Sequence, residues 1–134
     1  MIKFNNKEAY LDFFIEYALM EDTGDGDHTS LACVGPDEIC TAVLLVKDEG
    51  ILAGIELMEI ILKKVDPDAK VQIFKSDGSY VTHGDIAFQI QCKSRPPLLA
   101  ERLILNTMQR MSGVATLSRQ YADAVKGFDV KILD

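Results

Sequence analysis

The sequence predicts an α+β fold in which antiparallel strands pack against helices, and three observations lead to this prediction. The chain has 134 residues, of which 48% are apolar, so it is long enough and apolar enough to form a core of its own. Apolar residues recur at helical spacing in three segments. Between these segments, apolar and polar residues alternate around glycine-containing turns, which is typical of antiparallel strands.

The first predicted helix extends from about Lys7 to Met20. Asn5 or Asn6 is its expected N-cap, because an asparagine side chain accepts a hydrogen bond from an N–H group of the first helical turn. The apolar residues of this segment repeat at helical offsets: Leu11, Phe14, Ile15, Ala18 and Leu19. We expect the helix to pack one face on the core.

An acidic, glycine-rich segment, EDTGDGDHTS (residues 21–30), follows as a predicted loop. It contains three aspartates: Asp22, Asp25 and Asp27. Several carboxylates together favour a site for a hard cation, but the spacing of a calcium-binding loop is absent. The alternative is a turn in which aspartate side chains accept hydrogen bonds from backbone N–H groups while Gly24 and Gly26 adopt positive φ. Because the turn needs no cation, we expect no metal site, and the role of His28 stays open.

Strands and a second helix come next. The segment from Glu38 to Lys47 is rich in apolar and β-branched residues and predicts a strand, and Gly50 to Gly54 predicts a short strand or a turn. The helix is expected from about Ile55 to Lys64. It ends before Pro67, because the residue that precedes a proline is displaced from helical geometry.

The segment from Lys70 to Cys92 predicts three short strands joined by glycine-containing turns. KVQIFK (residues 70–75) is the first strand, and the second ends at Val81 between turns at Gly78 and Gly84. In the third strand, apolar residues occupy alternate positions: Ile86, Phe88, Ile90 and Cys92. This alternation predicts an antiparallel strand that is buried on one face.

A long helix is predicted from Pro97 to about Val125, since proline is accepted in the first helical turn but not inside a helix. Two apolar stripes predict that it is mostly buried and covered on two sides. A polar line separates the stripes: Arg102, Asn106, Gln109 and Gly113. A guanidinium stays charged and is costly to bury alone, so Arg102 needs either a distant Asp or Glu as partner or an anionic ligand. Both alternatives stay open.

The composition argues against several classes of function. The net charge of −7 does not suit a nucleic-acid surface or an anionic membrane. No apolar run has the length of a membrane span, and the N-terminus lacks the apolar core of a signal peptide, so we expect a cytoplasmic protein. The cysteines (Cys33, Cys40, Cys92) and histidines (His28, His83) lack the spacing of a disulfide framework or a metal site. We expect the cysteines to be small buried apolar groups.

Two segments resemble motifs of a known family. LLAERLILNTMQRMSGVAT (residues 98–116) resembles the L-x-x-E-R-x-x-L-N-x-x-x-x-x-S-G-[IV]-A-T segment of quinolinate phosphoribosyltransferases, also called nicotinate-nucleotide pyrophosphorylases (carboxylating). ALMEDTGDGDHTS (residues 18–30) resembles their A-L-x-E-D-x-G-x-G-D-x-T-S segment. The motifs occur in order and at compatible spacings over nearly the whole chain, which makes the resemblance specific.

The resemblance implies an architecture and an activity. Residues 1–112 would be the N-terminal domain of such an enzyme, and residues 113–134 a linking helix and the first strand of a truncated C-terminal α/β barrel. The family transfers phosphoribosyl from phosphoribosyl pyrophosphate, which carries Mg²⁺, to quinolinate, with decarboxylation to nicotinate mononucleotide. By motif position, Arg102 is the arginine that reaches across a homodimer interface to the quinolinate carboxylates. Catalytic residues are expected beyond Asp134, so the chain alone is expected to be inactive.

The end of the chain agrees with this implication. Lys126-Gly127 predicts the end of the long helix, and Val130 to Asp134 predicts an apolar strand. Such a strand is normally buried between parallel neighbours, which the chain does not supply, so we expect the polypeptide to continue. The segment KSRPP (residues 93–97) departs from the family pattern and leaves the role of Arg95 open.

A second resemblance leads to alternative functions. DGSYVTHGDIAFQI (residues 77–90) resembles the folded hairpins of biotinyl and lipoyl carrier domains, which predicts a hammerhead-like antiparallel β architecture. The attachment lysine of those carriers, in Met-Lys-Met or Asp-Lys-Ala, is absent from the sequence. The alternatives to the enzyme are therefore a non-catalytic hammerhead-type binding or dimerisation module, or a pyrophosphorylase-like protein of molybdenum operons.

Overall fold

A computed structural model describes residues 6–24, 26, 28–130 and 132 of the protein. These residues form α1 (Lys7–Thr23), α2 (His28–Cys33), β1 (Ile39–Leu45), β2 (Gly50–Ile51), α3 (Ile55–Val65), β3 (Lys70–Ile73), β4 (Tyr80–Val81), β5 (Ile86–Lys93) and α4 (Arg95–Ala124). The predicted α+β fold is confirmed. The bounds of β1, α3, β3 and β5 agree with the prediction to within two residues.

The strands form two antiparallel sheets. β5 is the centre of a three-stranded sheet with the order β1-β5-β3, and β2 pairs with β4 in a separate two-stranded sheet. Both neighbours of β5 run antiparallel to it, as the apolar alternation of this strand predicted. The strand between the turns at Gly78 and Gly84, β4, pairs with β2 and not with β3 or β5. The strand with the cleanest apolar alternation is therefore the one that pairs on both edges.

A bulge interrupts the predicted alternation in β5. The register with β1 shifts between Leu44, which pairs with Phe88, and Leu45, which pairs with Ile86. Ala87 lies between the two pairs, and both Ala87 and Phe88 are buried, whereas Ile86 is exposed. The predicted burial of Ile86 is wrong because the extra residue, Ala87, shifts the alternation by one and places Ile86 on the opposite face from the one predicted. The remaining positions of the predicted apolar face, Ile90 and Cys92, are buried.

One hydrophobic core joins the three-stranded sheet to the helices. α4 contacts α1, α2, α3, β2 and β5, so most of the domain is assembled on this helix. Its buried residues are Ala100, Ile104 and Met108, and α1 contributes the fully buried Ile15. Each large apolar side chain buried in this way stabilises the fold by roughly 1.5–3 kcal/mol.

The second half of α4 differs from the prediction. The helix begins at Arg95 with both prolines in its first turn, two residues before the predicted start. The predicted burial is correct for the first half, but Met111, Val114, Leu117 and Tyr121 are exposed. In the part of the chain that the structure describes, no element buries these four side chains. Within that same part of the chain, no helix combines the length and the apolarity needed to cross a membrane.

α1 begins where the sequence predicted and ends one turn later. The Asn6 side chain accepts a hydrogen bond from Ala9 N at 2.8 Å, so Asn6 is the N-cap, and Asn5 lies outside the described residues. The helix continues through residues 21–23, which were predicted to be a loop. Asp22 is thus a helical residue, and this placement decides which partner its carboxylate can reach.

The acidic loop is shorter than predicted, because residues 28–30 belong to α2. Gly24 and Gly26 have φ of 50° and 129°, as expected of glycines in a tight turn. Gly24 N donates to Met20 O at 3.1 Å and ends α1. Asp25 and Asp27, which the sequence offered as turn-forming or cation-binding residues, lie outside the described residues.

The final predicted strand falls mostly outside the described residues. Val130 and Ile132 are described, and neither belongs to a strand. Residues 131, 133 and 134 are not described. The predicted domain boundary after residue 112 lies within the continuous helix α4, so the boundary and the barrel strand stay predictions.

Candidate functional site

Arg102 lies near the start of α4 and forms an ion pair with the last turn of α1. Its Nη1 donates to Asp22 Oδ1 at 2.6 Å. The two residues are 80 positions apart in the chain. The Arg102 side chain is 73% exposed and that of Asp22 is 28% exposed, so the expectation that Arg102 is buried is wrong. Of the two predicted alternatives, the distant carboxylate partner is present in the structure, and the anionic ligand stays a prediction.

The ion pair lines an open cleft of about 350 Å³. The other lining residues come from the end of α1, the loop, α2 and the start of α4: Thr23, Gly26, His28, Leu98 and Leu99. His28, to which the sequence assigned no role, is the first residue of α2 and lies on the same cleft as Arg102. The site therefore combines a guanidinium and an imidazole with two leucine side chains.

The guanidinium has free hydrogen-bonding capacity. Among the hydrogen bonds of the described residues, Arg102 uses only Nη1. An arginine carries five N–H donors in a planar fork, and none of the described residues accepts a hydrogen bond from the edge formed by Nε and Nη2. Two parallel N–H groups on one edge match the two oxygens of a carboxylate. The cleft can therefore accept a carboxylate-bearing ligand without breaking the contact to Asp22.

Arg95, whose role the sequence left open, does not line this cleft but ties the end of α2 to the start of α4. Its Nε and Nη2 donate to Val34 O at 2.9 and 2.6 Å, and Nη2 also donates to Leu31 O at 3.3 Å. Carbonyl groups at the end of a helix have no partner within the helix, and here an arginine side chain supplies one. α2, which begins with His28, is thereby tied to the first residue of α4.

No metal centre is formed by the residues that the structure describes. No group of three or more His, Cys, Asp or Glu within this set is placed to hold a cation. Asp22 points to Arg102 instead, and the other two acids of the loop are not described. The expectation that the chain binds no metal thus stays a prediction.

The cysteines differ in their surroundings. Cys92 is buried and Cys40 is half-buried, but Cys33 is exposed, so the prediction of burial is wrong for Cys33. Burial and, to a smaller extent, the neighbouring Cys40 together raise the pKa of the Cys92 thiol to about 12. A thiol with this pKa is protonated at neutral pH and is a poor nucleophile. Cys92 therefore behaves as a core residue.

Local sequence identified Arg102 but not its surroundings. Asp22 was recognised as a notable acid, yet its partner lies 80 positions away and no periodicity connects the two residues. His28 gave no signal beyond its place inside the acidic motif. The simultaneous match of two family motifs could have predicted that Asp22, His28 and Arg102 lie close together. Motifs that occur together in one family commonly meet in space.

Comparison with known proteins assigns the chain to a family. A family model described as the quinolinate phosphoribosyl transferase N-terminal domain matches residues 27–112, which is more than half of the chain. The chain belongs to this family. Arg102 and His28 fall within the matched region, whereas Asp22 precedes it.

Relatives of this quinolinate phosphoribosyltransferase domain are considerably longer. The chloroplastic nicotinate-nucleotide pyrophosphorylase [carboxylating] of Oryza sativa subsp. japonica is 45% identical over 111 residues, which are 82% of this chain and 30% of that protein. The probable nicotinate-nucleotide pyrophosphorylase [carboxylating] of Bacillus subtilis is 30% identical over 120 residues, or 90% of this chain and 41% of that protein. The chain spans less than half the length of these relatives.

The fold agrees with solved structures of the same family. The crystal structure of NadC from Streptococcus pyogenes superposes with a TM-score of 0.84 at 27% identity and covers 91% of this chain and 44% of that one. The nicotinate-nucleotide pyrophosphorylase of Francisella tularensis gives a TM-score of 0.81 at 26% identity over 90% of the chain. The α+β architecture of the quinolinate phosphoribosyltransferase N-terminal domain is thus the architecture of this chain.

Proposed function

We propose that this chain is the N-terminal part of a nicotinate-nucleotide pyrophosphorylase (carboxylating), a pentosyltransferase of NAD biosynthesis. Such an enzyme joins quinolinate to the ribosyl carbon of phosphoribosyl pyrophosphate and releases pyrophosphate and carbon dioxide. Membership of the quinolinate phosphoribosyltransferase family supports this proposal, as do the activities that the names of its relatives state.

The observation that carries the proposal is the guanidinium of Arg102, which is exposed and makes a single hydrogen bond among the described residues. Quinolinate has two adjacent carboxylates, and a planar guanidinium binds a carboxylate through two parallel hydrogen bonds. An ammonium group is a point charge and cannot reproduce this geometry, so lysine would be a poor substitute. In the proposed complex, Arg102 binds and orients one substrate carboxylate.

Other parts of the active site must come from outside the described residues. The cleft offers one permanent cation, too few for a dicarboxylate and a pyrophosphate-bearing sugar together. We place the acid–base groups, the phosphate site and the Mg²⁺ that accompanies phosphoribosyl pyrophosphate in polypeptide beyond this domain. The exposed apolar residues in the second half of α4 (Met111, Val114, Leu117 and Tyr121) support a homodimer in which Arg102 completes the partner's site. Mass measurement in solution would test the dimer.

We also propose that the enzyme works in the cytoplasm and binds neither nucleic acid nor membranes. The net charge of −7 supports the absence of nucleic-acid and anionic-membrane partners. The proposed location is less constrained, since plant relatives carry chloroplastic or mitochondrial names. Fractionation of the source cells, with detection of the intact protein, would test it.

The decisive experiment compares two arginines of α4 in the intact natural polypeptide that contains this domain. Its activity is measured as release of labelled carbon dioxide from carboxyl-labelled quinolinate in the presence of phosphoribosyl pyrophosphate and Mg²⁺. Arg102→Lys is expected to raise the KM for quinolinate by at least about tenfold, which is about 1.4 kcal/mol of binding, and to leave the KM for phosphoribosyl pyrophosphate nearly unchanged.

Arg110→Lys is the matched control, because Arg110 is exposed on the same helix and does not line the cleft. It is expected to change neither KM. Equal effects of Arg102→Lys on both substrates would contradict the assignment of Arg102, and so would no effect on either. Absence of any quinolinate-dependent carbon dioxide release would contradict the proposed activity itself.

A further inference from the structure

We propose that Asp22 is a positioning residue that holds the Arg102 guanidinium by one nitrogen and directs its free edge at a substrate carboxylate. The proposal rests on the function proposed above, because it assigns a role within the same site. Asp22 occupies the aspartate position of the E-D pair in the motif of residues 18–30 but lies before residues 27–112, which the family model matches, and neither match assigns it a role. The contacts, the exposure and the position of Asp22 on its helix carry the inference.

The geometry of the ion pair indicates whether Asp22 positions Arg102 for the substrate or competes with the substrate for it. Arg102 Nη1 meets Asp22 Oδ1 at 2.6 Å, and no second nitrogen of Arg102 takes part among the described hydrogen bonds. A guanidinium can bind a carboxylate in parallel at either of two edges, Nε with Nη2 or Nη1 with Nη2, and Asp22 takes one nitrogen of the second edge only. Asp22 leaves the edge formed by Nε and Nη2 unoccupied. The substrate can therefore bind while the ion pair is retained.

The two side chains of the ion pair differ in exposure. The Asp22 side chain is 28% exposed and that of Arg102 is 73% exposed, so the arginine is the partner more open to solvent. A free arginine side chain loses rotamer entropy when it is immobilised. An arginine already held at one end loses less when the ligand arrives, and binding is tighter for that reason.

The place of Asp22 on α1 is hard to explain by helix stability. It lies in the last turn beside Glu21, and this turn contains no basic residue. Carboxylates near the C-terminus of a helix face the negative end of the helix dipole, which is unfavourable. Among the hydrogen bonds of the described residues, the Asp22 side chain accepts only from Arg102. The ion pair is the interaction that accounts for the residue.

The test uses Asp22→Asn in the intact natural polypeptide, with quinolinate and phosphoribosyl pyrophosphate as substrates. Loss of an exposed ion pair is worth up to about 1 kcal/mol, so the KM for quinolinate is expected to rise by about fivefold. The change in kcat and in the KM for phosphoribosyl pyrophosphate should be much smaller. Asp22→Glu, which keeps the charge, should restore part of the lost affinity.

Glu21→Gln is the matched control, because it removes the same charge from the same helical turn without touching Arg102. It should leave both KM values unchanged. A lower KM for quinolinate in Asp22→Asn would overturn the proposal in favour of competition, and an unchanged KM would overturn it outright. If Arg102→Lys still raises the KM in that case, the proposed function stands while the role of Asp22 falls.

A direct readout in the chain itself is the rotation of the Arg102 guanidinium, followed by nitrogen-edited NMR of its Nε–H and Nη groups. Rotation about the Nε–Cζ bond should be slow in the wild type and fast in Asp22→Asn, since the ion pair restrains Nη1. Fast rotation in the wild type would overturn the proposal, whatever the kinetics show.

Discussion

Ser112 exchanges two hydrogen bonds with the backbone of Ala53. Ala53 N donates to Ser112 Oγ at 2.9 Å, and the same hydroxyl donates to Ala53 O at 3.2 Å. One turn later on α4, Thr116 Oγ1 accepts from Ile51 N at 2.8 Å and donates to Ser112 O at 2.7 Å. The S-G-x-A-T motif thus has a structural role. Its two hydroxyls, four residues apart on one face of the helix, hold the two-residue strand β2 against α4.

Ser112→Ala is expected to lower the free energy of unfolding by about 1–3 kcal/mol, because Ala53 N–H and C=O lose their partner in a half-buried place. Chemical denaturation followed by circular dichroism measures the change. Ser118→Ala is the control, since Ser118 is exposed on the same helix. Equal denaturation midpoints for the two variants would show that the Ser112 bonds do not stabilise the fold.

Gly50→Ala is expected to destabilise the protein by about 1–3 kcal/mol more than Gly78→Ala. Both glycines have positive φ, so both substitutions carry backbone strain. A Cβ at Gly50 would lie 2.5 Å from Thr116 Oγ1, whereas a Cβ at Gly78 would meet no atom within 4 Å. The difference between the two thermal midpoints isolates the steric contact. Similar midpoints would mean that Thr116 moves aside at little cost.

Most of the fold follows from local patterns. The apolar alternation of β5 and the helical periodicities of α1, α3 and α4 predicted these elements, because such patterns are imposed by the geometry of the element itself. The N-cap was predicted to be Asn5 or Asn6, and Asn6 is the N-cap, since capping needs only a side chain within the first turn. Strand pairing followed only in part: the antiparallel character of β5 was predicted, but β4, which the turns at Gly78 and Gly84 connect to β3 and β5, pairs with β2 instead.

What local patterns could not predict are contacts between distant segments. The Arg102–Asp22 pair joins residues 80 positions apart, and the Ser112–Ala53 pair joins residues 59 apart. The apolar stripes of α4 predicted burial, yet Leu117 is exposed among the described residues. An apolar stripe shows that a helix face can be buried against another element, but not that such an element is present. The bulge at Ala87 arises from the register with β1 and leaves no mark in the sequence of β5 alone.

Asp66→Ala is expected to destabilise the protein by about 1–3 kcal/mol. Asp66 is 5% exposed, and its carboxylate accepts hydrogen bonds from Lys93 N at 3.0 Å and from Asp68 N at 3.1 Å. It therefore joins the end of α3 to the end of β5. Asp68→Ala, at an exposed position two residues away, is the matched control for loss of a carboxylate. If both variants unfold at the same denaturant concentration, the buried contacts of Asp66 contribute nothing to stability.

The three thiols are expected to react at different rates with Ellman's reagent at mildly alkaline pH. Cys33 is exposed and should react first. Cys92 should react only after denaturation, because burial excludes the reagent and raises its thiol pKa to about 12. Mass spectrometry of the partly labelled protein identifies the modified residue. Labelling of Cys92 at the rate of Cys33 would show that β5 opens readily.

The same thiol predicts how stability depends on pH. The pKa of Cys92 is raised from 9.0 to about 12 in the folded protein, chiefly by burial and then by Cys40, which pairs with it across β1 and β5. Above about pH 9 the unfolded chain loses this proton while the folded chain keeps it, so the contribution to stability is complete below pH 9 and is lost as the pH rises towards 12. Denaturation curves should therefore show falling stability over this interval. The decrease of unfolding free energy with pH should be shallower in Cys92→Ala than in the wild type. In Cys33→Ala, the control, it should equal that of the wild type. The same slope in the wild type and both variants would show that Cys92 does not cause the decrease.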